Sequence, residues 1–157
     1  MQNQKIYLAV SITGNRVGDL GALSSARFAG ELLMEKDKTV KVRCIQNFDQ
    51  LIADCERFCP YLVCVVEGME GKVDLEVYHQ VVNHWEQYAQ SYQMASDVIF
   101  HSIRLRKMHN RHVQAGYMMQ WLQRIEAPAV YVRIGIPEMN INEMQAQGRA
   151  LALALST

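Results

Sequence analysis

The sequence predicts one three-layer αβα domain over residues 1–157, with helices on both faces of a five-stranded, mostly parallel sheet. Three observations carry this expectation. Short apolar runs alternate with helical stretches of ten or more residues. The boundaries fall at Gly, Pro, Asn and Asp signals, and no linker, repeat or low-complexity tract interrupts the chain. Strands separated by helices imply right-handed crossovers, and five such units are commonly ordered 2-1-3-4-5.

The elements follow in order. Lys5 to Ile12 (KIYLAVSI) is a buried strand ending in Thr13-Gly14-Asn15. From Asp19 to about Lys36 runs a helix with Ala22, Ala26, Ala29 and Leu33 on one stripe and Leu23 and Leu32 beside it. Thr39 to Ile45 (TVKVRCI) is a second strand nearer an edge. Asn47 caps a helix over 48–59, and Pro60 stops it. Tyr61 to Val66 (YLVCVV) is the most hydrophobic strand and belongs at the sheet centre.

Residues 67–71 then read as a loop. Asp74 is placed to cap a long helix with Tyr78, Val81, Val82, Trp85, Tyr88 and Tyr92 on one side. Residues 97–103 (DVIFHSI) read as a fourth strand, although the same residues could extend a helix. A helix over about 109–126 would bury Val113, Tyr117, Trp121, Leu122 and Ile125. Pro128 opens a fifth strand, Ala129 to Ile136, and a last helix carries Ile141, Met144, Leu151 and Leu155.

Half the residues are hydrophobic and a fifth are charged, as in a globular protein, and the formal net charge is zero. Whole-molecule attraction to nucleic acid or to an anionic membrane is therefore absent. No run approaches the roughly 18 apolar residues of a membrane span. Met1-Gln2-Asn3-Gln4 lacks a basic start followed by an apolar run, so the expected location is the cytoplasm. Cys44, Cys55, Cys59 and Cys64 are then expected as reduced thiols. Cys55 and Cys59 share a helical stripe with Phe48, Leu51, Ile52 and Phe58, and Cys64 lies in an apolar strand, so these three read as core residues rather than metal ligands.

In open α/β sheets a ligand binds beyond the carboxyl ends of the strands, which nominates loops 11–19, 67–74 and 101–112. Ser11, Thr13, Gly14, Asn15 and Arg16 offer hydroxyls, a glycine and free N–H groups ahead of a helix, the chemistry of an anion site. Glu67, Glu70 and Asp74 place carboxylates after the central strand. Arg104, Arg106, Lys107, Arg111 and Arg124 fall in a stretch free of acidic residues between Asp97 and Glu126, while 67–86 is acidic apart from Lys72. Separated charge blocks suit a subunit contact or an anionic ligand.

These readings give a ligand site of Ser11, Thr13, Gly14, Asn15, Arg16, Glu67, Arg104 and Arg106 for a phosphorylated small molecule or nucleotide, held without catalysis. No particular cofactor is indicated. His109 and His112 are three apart, but a third metal ligand is not visible nearby. No hydrolase elbow, Walker loop or Gly-x-Gly-x-x-Gly fingerprint is present. Nucleic-acid stacking motifs are missing too. Tyr78, Trp85, Tyr88 and Tyr92, with Met118 and Met119, exceed what one sheet face needs, and self-association is expected.

Three short resemblances accompany these readings. Ser11 through Asn15 resembles the flavodoxin phosphate loop, with Arg16 where that family has a threonine, and implies a flavodoxin-like fold. Pro60 to Gly71 resembles the third strand of response-regulator receiver domains, with Val65, Val66 and Glu67 around the phosphoacceptor position, and implies a regulatory module without phosphoacceptor chemistry. His112 to Tyr117, with Lys5 to Ala9, is similar to nucleoside deoxyribosyltransferase-like proteins. Gln114 stands at the place of their catalytic glutamate.

Overall fold

The computed structural model describes residues 4–69, 74–108, 112–136 and 140–156. Its elements are β1 (Lys5–Ser11), α1 (Arg16–Glu35), β2 (Thr39–Ile45), α2 (Phe48–Phe58), β3 (Leu62–Met69), β4 (Asp74–His79), α3 (Trp85–Arg106), β5 (Val113–Ala115), α4 (Gln120–Gln123), β6 (Ala129–Gly135) and α5 (Ile141–Leu155). The strands form one sheet in the order β2-β1-β3-β6-β4-β5. β1 pairs in parallel with β2 and β3, and β3 with β6. β4 runs antiparallel to β6, and β5 runs parallel to β4.

A three-layer α/β domain is therefore present, but its sheet is mixed and has six strands among the described residues rather than five. The order 2-1-3-4-5 is corrected accordingly. Residues 4–66 follow expectation closely because period and punctuation agree there. Asn47 accepts from the Gln50 N–H and caps α2, and Cys59 ends that helix in a left-handed conformation just before Pro60. The Ala22, Ala26, Ala29, Leu33 stripe is buried in α1.

The middle of the chain differs. Asp74–His79 is a strand, not the start of a helix, and its burial alternates with Leu75, Val77 and His79 facing inward. The helical stripe expected from Tyr78 to Tyr92 joins residues of two elements that only coincidentally keep a spacing of three and four. His84 caps the real helix, accepting from the Gln87 N–H. Residues 97–103 stay inside α3, where Val98, Ile99 and Ser102 fall on one buried face. Strand formers are tolerated there because packing against α5 outweighs their weak local preference. With no strand at 97–103, β6 takes the place beside β3. The helix expected over 109–126 is instead β5, a turn and the short α4; residues 109–111 lie outside the described set. β3 continues through Glu67 to Met69, where a loop was expected.

Side-chain alternation divides the core in two. Ile6, Leu8, Val10, Cys64, Val66, Leu75, Val77, Val130 and Val132 meet α1, α3 and α5 on one face. Tyr7, Ala9, Val63, Val65, Ala129 and Tyr131 meet α2 and α4 on the other. The first face has three long helices. The second has an eleven-residue helix and one of four residues, so the sheet beyond them is only partly covered.

Two polar clamps fix this frame. Arg106, buried on α3, donates from Nε to Glu143 Oε2 (2.7 Å), from Nη1 to Gln147 Oε1 (2.6 Å) and from Nη2 to the Gly135 carbonyl (2.7 Å), tying α3, α5 and the end of β6. Gln80, also buried, donates to the carbonyls of Leu122 and Ile125 and accepts from the Ala129 N–H at 3.0 Å. It thereby satisfies the irregular backbone around α4.

Candidate functional site

Register places four polar side chains in one row on the thinly covered face. Ser11 of β1 lies opposite Glu67 of β3, Glu67 opposite Arg133 of β6, and Arg133 opposite Glu76 of β4. Because successive residues of a strand point to opposite faces, the same alternation that buries Ala9, Val65 and Tyr131 brings all four of these to one surface.

The row is continuously bonded. Ser11 Oγ donates to Glu67 Oε1 at 3.0 Å, and Arg133 Nε donates to Glu67 Oε2 at 3.2 Å. Arg133 Nη1 donates to Glu76 Oε1 at 3.1 Å. The next row of the sheet adds two phenols: Tyr131 donates to Glu67 Oε2 at 2.6 Å, and Tyr78 donates to Glu76 Oε1 at 2.8 Å. Tyr131 and Tyr78 stack with ring centroids 5.7 Å apart, and Trp121 closes on Tyr131 edge-on at 5.0 Å.

Burial, then the hydrogen bond and charge of Glu67, raise Tyr131 well above the usual phenol range; Tyr78 rises for the corresponding reasons with Glu76. Both stay protonated donors at neutral pH. For Arg133, burial acts to lower the pKa, but Tyr131, Glu76 and Glu67 outweigh it and the pKa rises, so the guanidinium is charged. Among the described residues, no further hydrogen bond engages Glu76 Oε2, and the Arg133 guanidinium also reaches toward the Tyr78 hydroxyl. A charged donor and a carboxylate acceptor thus stand side by side, half-buried, at the open end of the row.

Of the residues expected from sequence, Ser11 and Glu67 belong to this row. The Thr13 and Gly14 donors and the Asn15 backbone N–H are already used. Asp19 Oδ1 accepts from the Thr13 N–H and hydroxyl, each at 2.9 Å, and Asp19 Oδ2 accepts from the Gly14 N–H at 3.1 Å. Asn15 Oδ1 caps α1 by accepting from the Gly18 N–H at 2.8 Å. The anion-binding loop is filled by a carboxylate of its own chain. Arg16 is exposed at the start of α1. Arg104 lies exposed over the Phe100 ring, and Arg106 is committed to its clamp, so neither joins the row. Glu70, Lys72, His109 and Arg111 lie outside the described residues.

Arg133, Glu76, Tyr131 and Tyr78 were missed from sequence. A partial signal exists in AVYVRIGI, where Tyr131 and Arg133 occupy alternate positions of an otherwise apolar strand. Glu76 and Tyr78 share that signal only if 74–79 is recognised as a strand. Among the described residues no three His, Cys, Asp or Glu side chains are grouped to hold a metal ion. A separate cavity of about 340 Å³ at the other end of the sheet is lined by Ile52, Cys55, Cys59, Arg124 and Ile125 and has no contact with the row.

The sequence matches no protein-family model and no curated protein. Solved structures share its fold across nearly its whole length. They include the N-acetylmuramyl-L-alanine amidase Ami1 of Mycobacterium smegmatis, with TM-score 0.75 and 10% identity over 98% of this chain and 97% of that one. The N-acetylmuramoyl-L-alanine amidase of Clostridium difficile 630 has TM-score 0.71 and 11% identity over 98% and 95%. AmiC2 of Nostoc punctiforme, another such amidase, has TM-score 0.71 and 8% identity over 97% and 94%.

At these identities the likeness establishes the fold. It corrects the expectation of a non-catalytic protein for nucleotides or phosphorylated molecules, since the three solved structures named above are amidases and the loop meant for phosphate holds Asp19. The receiver-like, flavodoxin-like and deoxyribosyltransferase-like alternatives fall with it, and so does a regulatory role. No helix among the described residues is long and apolar enough to cross a membrane.

Proposed function

We propose that this chain hydrolyses an amide bond of the N-acetylmuramoyl-L-alanine type, using the row formed by Glu67, Arg133 and Glu76. The observation that carries this reading is the adjacent, half-buried Arg133 guanidinium and Glu76 carboxylate, whose Oε2 makes no further bond among the described residues, on a fold shared with amidases. An amide presents one acceptor oxygen, and its hydrolysis needs a donor at that oxygen and a base for water.

In this reading Glu76 Oε2 takes a proton from water as the water oxygen bonds to the carbonyl carbon. Arg133 Nη2 donates to the oxygen that becomes negative. The proton then passes from Glu76 to the amide nitrogen, the C–N bond breaks, and a carboxylate and an amine leave. Glu67, held by Ser11 and Tyr131, fixes the guanidinium plane.

The cytoplasmic location expected from sequence is supported by the four unpaired cysteines, which suit a reducing compartment. A soluble muramoyl peptide is then the substrate, rather than the assembled wall. The test incubates purified protein with N-acetylmuramoyl-L-alanyl peptide and follows the free L-alanyl amine by mass spectrometry. Glu76→Gln is expected to lower the rate by about 10²–10⁴-fold, the usual contribution of a general base. No release from either soluble peptide or wall polymer overturns the hydrolytic reading. Release unchanged in Glu76→Gln removes the assignment of the base.

A further inference from the structure

We propose that two copies of this chain associate about a two-fold axis through the free edge of β5 and the aromatic band beside it. β5 pairs with β4 on one side, and among the described residues no strand pairs with its other side. Its residues, Val113, Gln114 and Ala115, include none of the lysines, prolines or inward charges with which proteins protect an open edge.

The band lies on α3, which packs beside β4 and β5, and in the turn after β5. Trp85 stacks on Tyr88 (6.0 Å between centroids), and Tyr88 and Tyr92 both close edge-on against His79, at 5.4 and 5.2 Å. The His79 carbonyl accepts from the Gly116 N–H at 2.9 Å, and Tyr117 and Met118 follow Gly116 in the turn after β5. Trp85 is 73% exposed, Tyr92 48%, Tyr117 71% and Met118 90%. Taking about 200 Å² for each such large side chain, these four alone leave roughly 600 Å² uncovered. Together that is most of the ~800 Å² each partner gives to a standard interface. A three-residue edge supplies few backbone bonds, so the aromatic band contributes most of the contact.

Charge selects the occupant. Within residues 77–96 and 112–123 there is one charged side chain, Glu86. Nucleic acid, an anionic lipid surface or a charged peptide finds no complementary field there. Across a two-fold axis, by contrast, every charge near the axis faces its own copy, and a neutral surface meets itself without repulsion.

The test measures mass by sedimentation and light scattering as concentration rises. The 18.0 kDa chain is expected to reach twice its monomer mass. Met118→Asp and Trp85→Asp are each expected to restore the monomer, while Ile141→Asp, at an exposed position on α5, leaves the dimer intact. Circular dichroism confirms that each variant folds, and Met118, nearly all in solvent, provides a substitution that the fold tolerates. A wild-type chain that stays monomeric at high concentration overturns the proposal. So does a dimer that survives both substitutions. Because the assay involves no substrate, its outcome is independent of the hydrolytic reading.

Discussion

Arg133 is bonded to Glu76 through one nitrogen and one oxygen, at 3.1 Å, and among the described residues Glu76 Oε2 beside that bond makes no further hydrogen bond. The arrangement follows from register, since the two residues are directly opposite on antiparallel β6 and β4. Arg133→Lys keeps the charge but loses the planar fork that reaches Glu67, Glu76 and a third group together. The expected result is a fall in kcat of about 10²–10³-fold with a smaller change in KM, the pattern of a lost donor to an oxyanion. Glu67→Gln, which disturbs only the positioning of Arg133, should cost less. Steady-state kinetics on the muramoyl peptide would reveal a reversed order.

The Arg106 clamp is a stability feature. Arg106→Met removes a buried cation and leaves Glu143, Gln147 and the Gly135 carbonyl without it. Breaking a buried pair from one side typically costs about 3–5 kcal/mol, and urea unfolding should show a loss of that order. A change below about 1 kcal/mol would mean that water replaces the guanidinium without penalty.

At Gly68 the backbone of β3 touches the start of α1. A Cβ there would collide with the Gly18 carbonyl oxygen, a contact with backbone that no side-chain rotation relieves. Gly68→Ala should therefore separate α1 from the sheet and destabilise the protein by about 1–3 kcal/mol or more. Thermal unfolding of the variant beside Gly14→Ala, whose Cβ meets no atom within 4 Å although its φ is +92°, separates overpacking from backbone strain.

Thiol and phenol titrations probe burial directly. Burial pushes Cys64 up to about 12, and burial with the Asp54 charge pushes Cys55 up to about 11. Cys44 and Cys59 are exposed. A thiol reagent at mildly alkaline pH should label Cys44 and Cys59 rapidly and Cys64 only on unfolding.

Tyr7 and Tyr131 are also raised, by burial first and then by Asp54 and Glu67 respectively. A group with a raised folded pKa favours the folded state below its unfolded value, and that contribution is lost as pH climbs. Stability should thus decline from about pH 10 upward, with part of the phenolate absorbance appearing only as the chain unfolds. Complete, non-cooperative ionisation of all seven tyrosines in the native state would contradict this.

Where one period dominates and caps agree with it, local sequence was sufficient. The alternating strand pattern of β1, the alanine stripe of α1, the Asn47 cap before α2 and the apolar run of β3 could be read residue by residue. Their side chains are buried by adjacent elements, so local pattern and tertiary demand coincide. Ser11 and Glu67 could be nominated for the same reason, as polar residues ending central strands.

Tertiary structure decided the rest. Residues 74–106 hold both a two-residue and a helical spacing, and only pairing with β6 and packing on α5 determine which holds where. The row from Ser11 to Glu76 joins residues up to 122 positions apart, as Ser11 and Arg133 are in the sequence. It exists because β6, rather than a strand at 97–103, stands beside β3. Strand order is set by which apolar faces bury the most together, a property of the whole sheet. No local window contains it.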